Sequence, residues 1–477
     1  MNQQENVGLS GNHKTLQKVP TQIQGLDDIL HGGFPAGRTT LVSGGPGSGK
    51  SLIGLEFLYR GAAAGRPGLF VTFEENGESI RENAATLGWD LKELERQGSL
   101  FLLDARVDPE TVVSGQFNLK GLLSALDAKS REMGADRIVI DALDGLMRFF
   151  SDPDQQQNQM LVLHRWLMEH RMTSVLTSKT QPAPGVQNQF EFLDFLADCV
   201  ISLDQEIKGR VSTKMLRVVK YRGSAYGGNS YPFLVTDEGL YFQPITNVVM
   251  NYDESTRQIS SGDEQLDVIL GGGYKSGRCL LIAGETGTGK TCLAGTFAQS
   301  ACERGQKVLY VNYEESSEGM LAGMRSLGIN LESALERGLL SVLSLMPESM
   351  GAEEHLFLLH RTLDRFRPDH VAIDAISACK RIAKEAASFD FLVRIISACR
   401  ERGITAILIN QTKRSGDHQE LSGIGVSSVI DAIVALHYRR VDDEVQRFLL
   451  VMKARGNNHS NQYHRYSLTD RGITIER

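Results

Sequence analysis

No two of the six cysteines form a C-x-x-C pair; they are scattered at Cys199, Cys279, Cys292, Cys302, Cys379 and Cys399. That spacing offers neither a thiolate zinc motif nor a dithiol redox motif, and it describes reduced, small hydrophobic side chains in a core. No apolar stretch reaches the ~18 residues that suggest a membrane-crossing helix. The start, Met1-Asn2-Gln3-Gln4-Glu5-Asn6, has neither the charged region nor the apolar run of a secretory signal. The expected compartment is therefore the cytoplasm. Positive charge is not in excess either. Lys and Arg number 51 against 58 Asp and Glu, a net charge of −7. No global field draws in nucleic acid or anionic lipid, which leaves only a local basic groove open.

What is present is more specific. A hydrophobic share of 41% and a charged share of 23% are those of a soluble globular protein. At 477 residues the chain is too long for one ordinary core, and it suits two domains of roughly 230 residues. Gly44-Gly45-Pro46-Gly47-Ser48-Gly49-Lys50-Ser51 and Gly284-Glu285-Thr286-Gly287-Thr288-Gly289-Lys290-Thr291 both fit G-x-x-x-x-G-K-[ST]. Glycines at that spacing let backbone N–H groups point at phosphate oxygens. The lysine adds a point charge at the β/γ end, and the next hydroxyl can ligate Mg²⁺. Two such loops in similar surroundings indicate an ATP-handling protein built from a duplicated unit.

The duplication extends well beyond the loops. Leu26-Asp27 and Leu266-Asp267, Glu74-Glu75 and Glu314-Glu315, and Leu87-Gly88 and Leu327-Gly328 share one offset of 240. Further on, Asp141/Asp374, Lys220/Lys453 and Arg222/Arg455 share an offset of 233. The expected domains are 15–246 and 259–477, joined by a polar linker over 247–258. Each copy alternates β-rich apolar runs with amphipathic helical patterns, which predicts an α/β fold with a mostly parallel sheet and helices on both faces. Strands are expected at Thr39–Ser43, Gly68–Phe73, Arg137–Ile140 and Ser174–Thr177, and at Val308–Tyr313, Val371–Ile373 and Ala406–Ile409. Leu52–Tyr59 reads as the helix whose N-terminus faces the phosphates.

Four groups of residues carry candidate chemistry. Asp141 and Asp374 each close a hydrophobic strand, where a carboxylate holds Mg²⁺ directly or through its water; the bland alternative is a helix N-cap. Glu74-Glu75 and Glu314-Glu315 are expected to end the strand after the P-loop helix, with one carboxylate of each pair aimed into the site because strand side chains alternate. A glutamate there would orient or deprotonate the attacking nucleophile; a solvated acidic turn would explain one pair but hardly both. Lys220-Tyr221-Arg222-Gly223 and Lys453-Ala454-Arg455-Gly456 place two cations on one face of a strand. They suit an arginine-finger role from outside their own P-loop, or else charge protection of an edge strand. Ser427-Ser428 has no hydroxyl counterpart in the first copy, where Asp194-Phe195 stands; on spacing alone these are ordinary helix-start serines.

Together these motifs resemble the KaiC family, double-domain RecA-like ATPases of the circadian clock, from about Thr21 to Ile475. The tandem Walker A loops, the doubled Glu-Glu, both K-x-R-G segments and Ser-Ser ahead of an aspartate occur in order. The resemblance implies two tandem RecA-like P-loop NTPase domains assembled as a two-tiered homohexamer, with ATP and Mg²⁺ between subunits. It assigns Gly44, Gly45, Gly47, Ser48, Gly49, Lys50, Ser51, Glu74, Glu75 and Asp141 to the first site. Gly284, Thr286, Gly287, Thr288, Gly289, Lys290, Thr291, Glu314, Glu315 and Asp374 would form the second. Lys220, Arg222, Lys453 and Arg455 would reach a neighbour's nucleotide. Ser427 and Ser428 match the family's autophosphorylation positions, Ser422 matches an auxiliary hydroxyl, and Glu314 would be the general base of an autokinase.

The sequence departs from the family after Thr469-Asp470-Arg471-Gly472, short of the extended tail that engages KaiA. That speaks against a KaiA-type partner and for a clock-independent relative with a KaiB-like one. Two other classes stay open on sequence grounds. One is a RecA/RadA-like DNA-dependent ATPase, for which Asn188–Glu191 and Lys413–Gly416 are the only weak loop candidates. The other is an ATP-stabilised scaffold without kinase activity.

Overall fold

The computed structural model describes residues 16–106, 118–150, 152–179, 191–208, 211–243, 257–382, 385–412, 429–470 and 472–476. The chain divides into two compact units, Met1–Ile245 and Thr246–Arg477. Ser422, Ser427, Ser428, the 413–416 loop, most of 188–191 and nearly all of the 247–258 linker lie outside the described residues. Gln258, at the expected linker's end, pairs with Lys275 in a short antiparallel ribbon.

Each unit is built on a nine-stranded sheet. In the first, the order is 239–242, 230–236, 211–221, 199–208, 39–44, 173–179, 137–141, 68–72, 100–104. The six strands from 199–208 to 100–104 run parallel, and the other three form an antiparallel wing. The second unit repeats this order with 472–475, 464–469, 444–454, 432–441, 279–284, 405–411, 370–374, 308–312 and 340–344. Parallel strands must be covered on both faces, and the sequence supplies the burial: Gly68–Thr72, Arg137–Asp141, Val308–Asn312 and His370–Asp374 are buried at every position. Separate apolar clusters line the two faces of each sheet. The wings add strands beyond those expected from the sequence, where only the Lys-x-Arg segments suggested sheet.

The P-loop strand sits at the centre of each sheet, and its helix runs Lys50–Ala63 in the first unit and Lys290–Glu303 in the second. The first helix starts two residues before the expected Leu52, and the second starts at the matching lysine. The first turn of each carries the polar lysine and hydroxyl, which hydrophobic spacing does not register.

Candidate functional site

Geometry at the two glycine loops follows from close packing. A Cβ on Gly44 would sit 2.6 Å from the Leu203 carbonyl oxygen and from Ser48 Oγ, and a Cβ on Gly284 would sit 2.6 Å from the Leu436 carbonyl. The caps, Gly49 and Gly289, adopt φ of 99° and 91°, a left-handed conformation costly for other residues. Neither cap bonds the helix start through a side chain. The first-turn N–H groups of each helix therefore remain open to an anion, aligned with the positive end of the helix dipole.

Lys50 Nζ donates to the Gly45 carbonyl at 2.8 Å, and Lys290 Nζ donates to the Glu285 carbonyl at the same distance. Both lysines are buried, and burial lowers both ammonium pKa values, opposed chiefly by Asp141 in the first unit and by Asp374 in the second. A polyanion in the loop would reverse that desolvation penalty. Ser51 Oγ donates to Asp141 Oδ1 at 3.0 Å, and Thr291 Oγ1 donates to Asp374 Oδ2 at 2.7 Å. Both aspartates are the last residues of their strands, and burial pushes their carboxyls upward. Hydroxyls oppose that push: Thr177 and Ser51 in the first unit, Thr291 and Tyr310 in the second. A hydroxyl and a carboxylate side by side present the hard oxygen ligands Mg²⁺ prefers, with phosphate and water left to complete its shell.

The glutamate pairs stand differently from expectation. Each strand ends earlier, at Thr72 and at Asn312, so strand alternation does not govern the acidic residues. A side-chain turn replaces it. Thr72 Oγ1 donates to the Glu75 carbonyl at 2.9 Å and accepts from the Glu75 N–H at 3.1 Å. In the second unit Asn312 Oδ1 accepts from the N–H groups of Glu314 and Glu315 at 2.9 and 3.3 Å. In the first unit Glu75 is raised by burial and then by Asp141, and Glu74 adds to the upward push on Asp141. Glu74 Oε1 also accepts from Lys179 Nζ at 2.6 Å. Glu314 is raised by burial and then by Asp374, with Lys290 and Arg381 opposing.

The Lys-x-Arg cations lie at the other end of the sheet. Lys220 pairs with Val200, and Val200 with Leu41, the third residue of the P-loop strand, whereas the loop itself begins at Gly44. Three residues of strand correspond to roughly 10 Å. Within its own chain Lys220 Nζ donates to the Asp194 and Ala197 carbonyls, and Arg222 to the Phe195 carbonyl at 2.9 Å. Lys453 Nζ donates to the Ile430 carbonyl at 2.7 Å, and Arg455 lies 4.0 Å from Asp431. Arg222 and Arg455 sit just past the strand ends, at Tyr221 and Ala454.

Sequence reasoning missed several contacts. Lys214 donates to the Gly47 carbonyl at the first loop's tip, and Arg447 donates to the Gly287 carbonyl at 3.4 Å. Both are basic and share the 233 offset, so the repeat itself was the available signal. Thr177 and Tyr310 each donate to the strand-end aspartate of their unit. They stand on different strands, and no repeat points to them.

Two sheets of this order, each with a glycine-cradled helix start, a lysine, a hydroxyl–aspartate pair and adjacent glutamates, define two tandem RecA-like P-loop domains. A family model described as "ATPase: KaiC" matches residues 19–247 and again 259–477. Relatives include the "Circadian clock protein KaiC2" of Synechocystis sp., 35% identical over 97% of this chain and 82% of its own length. The "Circadian clock oscillator protein KaiC" of Picosynechococcus sp. is 34% identical, with 98% and 91% covered. That of Thermostichus vulcanus is 33% identical, with 96% and 89% covered. The chain belongs to the KaiC family of ATPases. No helix among the described residues is long and apolar enough to cross a membrane.

Proposed function

We propose that both units hydrolyse ATP and that the second also phosphorylates the chain's own Ser427 and Ser428, in a cytoplasmic two-tiered homohexamer. The observation that carries the ATPase reading is the presence of a full set in each unit: open helix N-terminus, lysine, hydroxyl–aspartate pair and turn-held glutamates. In each unit the helix N-terminus and lysine hold the β- and γ-phosphates. Mg²⁺ would be held by Ser51 and Asp141, or by Thr291 and Asp374, and would neutralise charge on the transferring phosphoryl group.

In the first unit Glu74 takes a proton from water as the water oxygen bonds to the γ-phosphorus and the bond to the β–γ bridging oxygen breaks, releasing ADP and phosphate. In the second, Glu314 does the same for a seryl hydroxyl, leaving phosphoserine and ADP. Glu75 and Glu315 stand beside them as the auxiliary carboxylates. Lys220 with Arg222, and Lys453 with Arg455, lie at the wrong end of the sheet to serve their own loop. Their place supports a ring in which each subunit completes its neighbour's site, and the first ring is the surface on which a KaiB-like partner would act.

Incubation of the full chain with ATP and Mg²⁺, followed by phosphosite mapping and light-scattering mass, tests this reading. It expects phosphate on Ser427 or Ser428, its loss in Glu314→Gln, and an ATP-dependent hexamer. ATP turnover with no phosphoserine would remove the kinase half, and a turnover-competent monomer would remove the ring.

A further inference from the structure

The two copies treat their first glutamate differently, and the duplication serves as an internal control. Lys179 closes the strand Thr173–Lys179, next to the P-loop strand. Its ammonium crosses the end of the intervening strand, which carries Asp141, to meet Glu74 Oε1 at 2.6 Å. Its backbone N–H donates to Asp144 Oδ2 at 2.8 Å, three residues beyond Asp141. The carboxylates of Glu74, Asp141 and Asp144 are near enough that Glu74 pushes both aspartates upward, after the larger effect of burial. Glu74 thus repels both aspartates, and Lys50 and Lys179 are the cations beside them. The second unit keeps Glu314, Asp374 and Lys290. Where the first unit has Asp144 and Lys179, the second has Ser377 and Gln411, and Gln411 pairs with Gly284 as Lys179 pairs with Gly44. The Asp144 carboxylate and the Lys179 ammonium thus have no charged counterparts there, and the upward push on Glu314 is opposed by Lys290 and Arg381.

We propose that Lys179 is a positioning residue for Glu74: it holds the glutamate over the first P-loop site against repulsion from Asp141 and Asp144. This rests on the reading of Glu74 as the base for hydrolysis in the first unit. Lys179 acts on the aim of Glu74 and not on the grip on phosphate, which belongs to Lys50 and the helix start. In the second unit Ser377 stands in place of Asp144, and Arg381 is the second cation acting on Glu314.

The test uses the full chain carrying Lys290→Ala, so that turnover reports on the first unit, with ADP release followed at saturating and limiting ATP. Lys179→Thr is expected to lower kcat by about tenfold, the range of a misaimed base, with KM within twofold of the parent. Lys179→Arg keeps the charge and should restore most of kcat. Lys179→Thr with Asp144→Ser removes the cation and one repelling carboxylate together and should recover kcat relative to Lys179→Thr alone, a non-additive outcome that general loss of folding would not give. Unchanged kcat in Lys179→Thr overturns the proposal, as does a double variant slower than the single. Glu74→Gln separates the two claims. If it abolishes turnover while Lys179→Thr does nothing, only the positioning role falls. If Glu74→Gln leaves turnover intact, Glu74 is not the base and both claims fall.

Discussion

Thr72 is a single buried hydroxyl on which the aim of the first glutamate pair depends. It is 0% exposed, and its oxygen both donates to and accepts from the backbone of Glu75. Thr72→Val keeps the shape and removes both hydrogen bonds. At roughly 1 kcal/mol net for each neutral bond, the loss is about 2 kcal/mol. In a unit of this size 1 kcal/mol moves the midpoint by about 2–4 °C, so the first unit's melting transition should fall by roughly 5 °C. The freed turn should also misplace Glu74 and Glu75 and slow the first unit's hydrolysis about tenfold or more. Thr72→Asn installs the residue that does this work at Asn312, and should recover much of both losses. Calorimetry and ADP release in the Lys290→Ala background measure the two effects. A Thr72→Val variant with parental melting and turnover would refute the reasoning, and so would an Asn variant worse than Val.

Ser51→Ala and Thr291→Ala each remove the hydroxyl paired with a strand-end aspartate, and each should raise the Mg²⁺ concentration for half-maximal turnover of its unit about tenfold, read from Mg²⁺ titrations of single-site variants. His370 is 2% exposed, lies edge-on to Phe297 at 5.1 Å, and burial lowers its pKa from the ordinary 6.5 to about 4. Because the folded value is the lower one, its contribution to stability is fully present above pH 6.5 and is lost as pH falls toward 4. The whole effect is about 3 kcal/mol, and His370→Leu should flatten that part of the second unit's stability–pH curve. All six cysteines are free and buried, and burial pushes the Cys199 thiol up to about 12. A thiol reagent at pH 8 should therefore leave the native protein unlabelled and modify all six after unfolding.

The two glycine loops were legible in the sequence because phosphate binding demands fixed spacing within one short segment. Asp141 and Asp374 were legible because a carboxylate that follows a run of three apolar strand residues stands at the sheet's ligand-binding end. The glutamates were legible as residues, but their placement was not. Thr72 and Asn312 end the strand with two different side chains doing one job, and strand alternation gave no warning of the turn. Lys179 and Asp144 occur in one copy only, so the internal repeat carries no signal for either. Lys214 and Arg447 do repeat, but a lysine in one copy and an arginine in the other, on a wing strand without a motif, look like ordinary surface charge. The Lys-x-Arg segments were recognisable as cations in the right order. Their place at the far end of the sheet from their own loop follows only from strand register.

Nucleotide counting tests the central claim most directly. The purified chain is saturated with ATP and Mg²⁺ and freed of unbound ligand, and the retained nucleotide is measured per polypeptide in the parent, Lys50→Ala and Lys290→Ala. Two per chain in the parent and one in each variant is the expected result. One per chain in the parent, unchanged by either substitution, would contradict the assignment of a working site to each half.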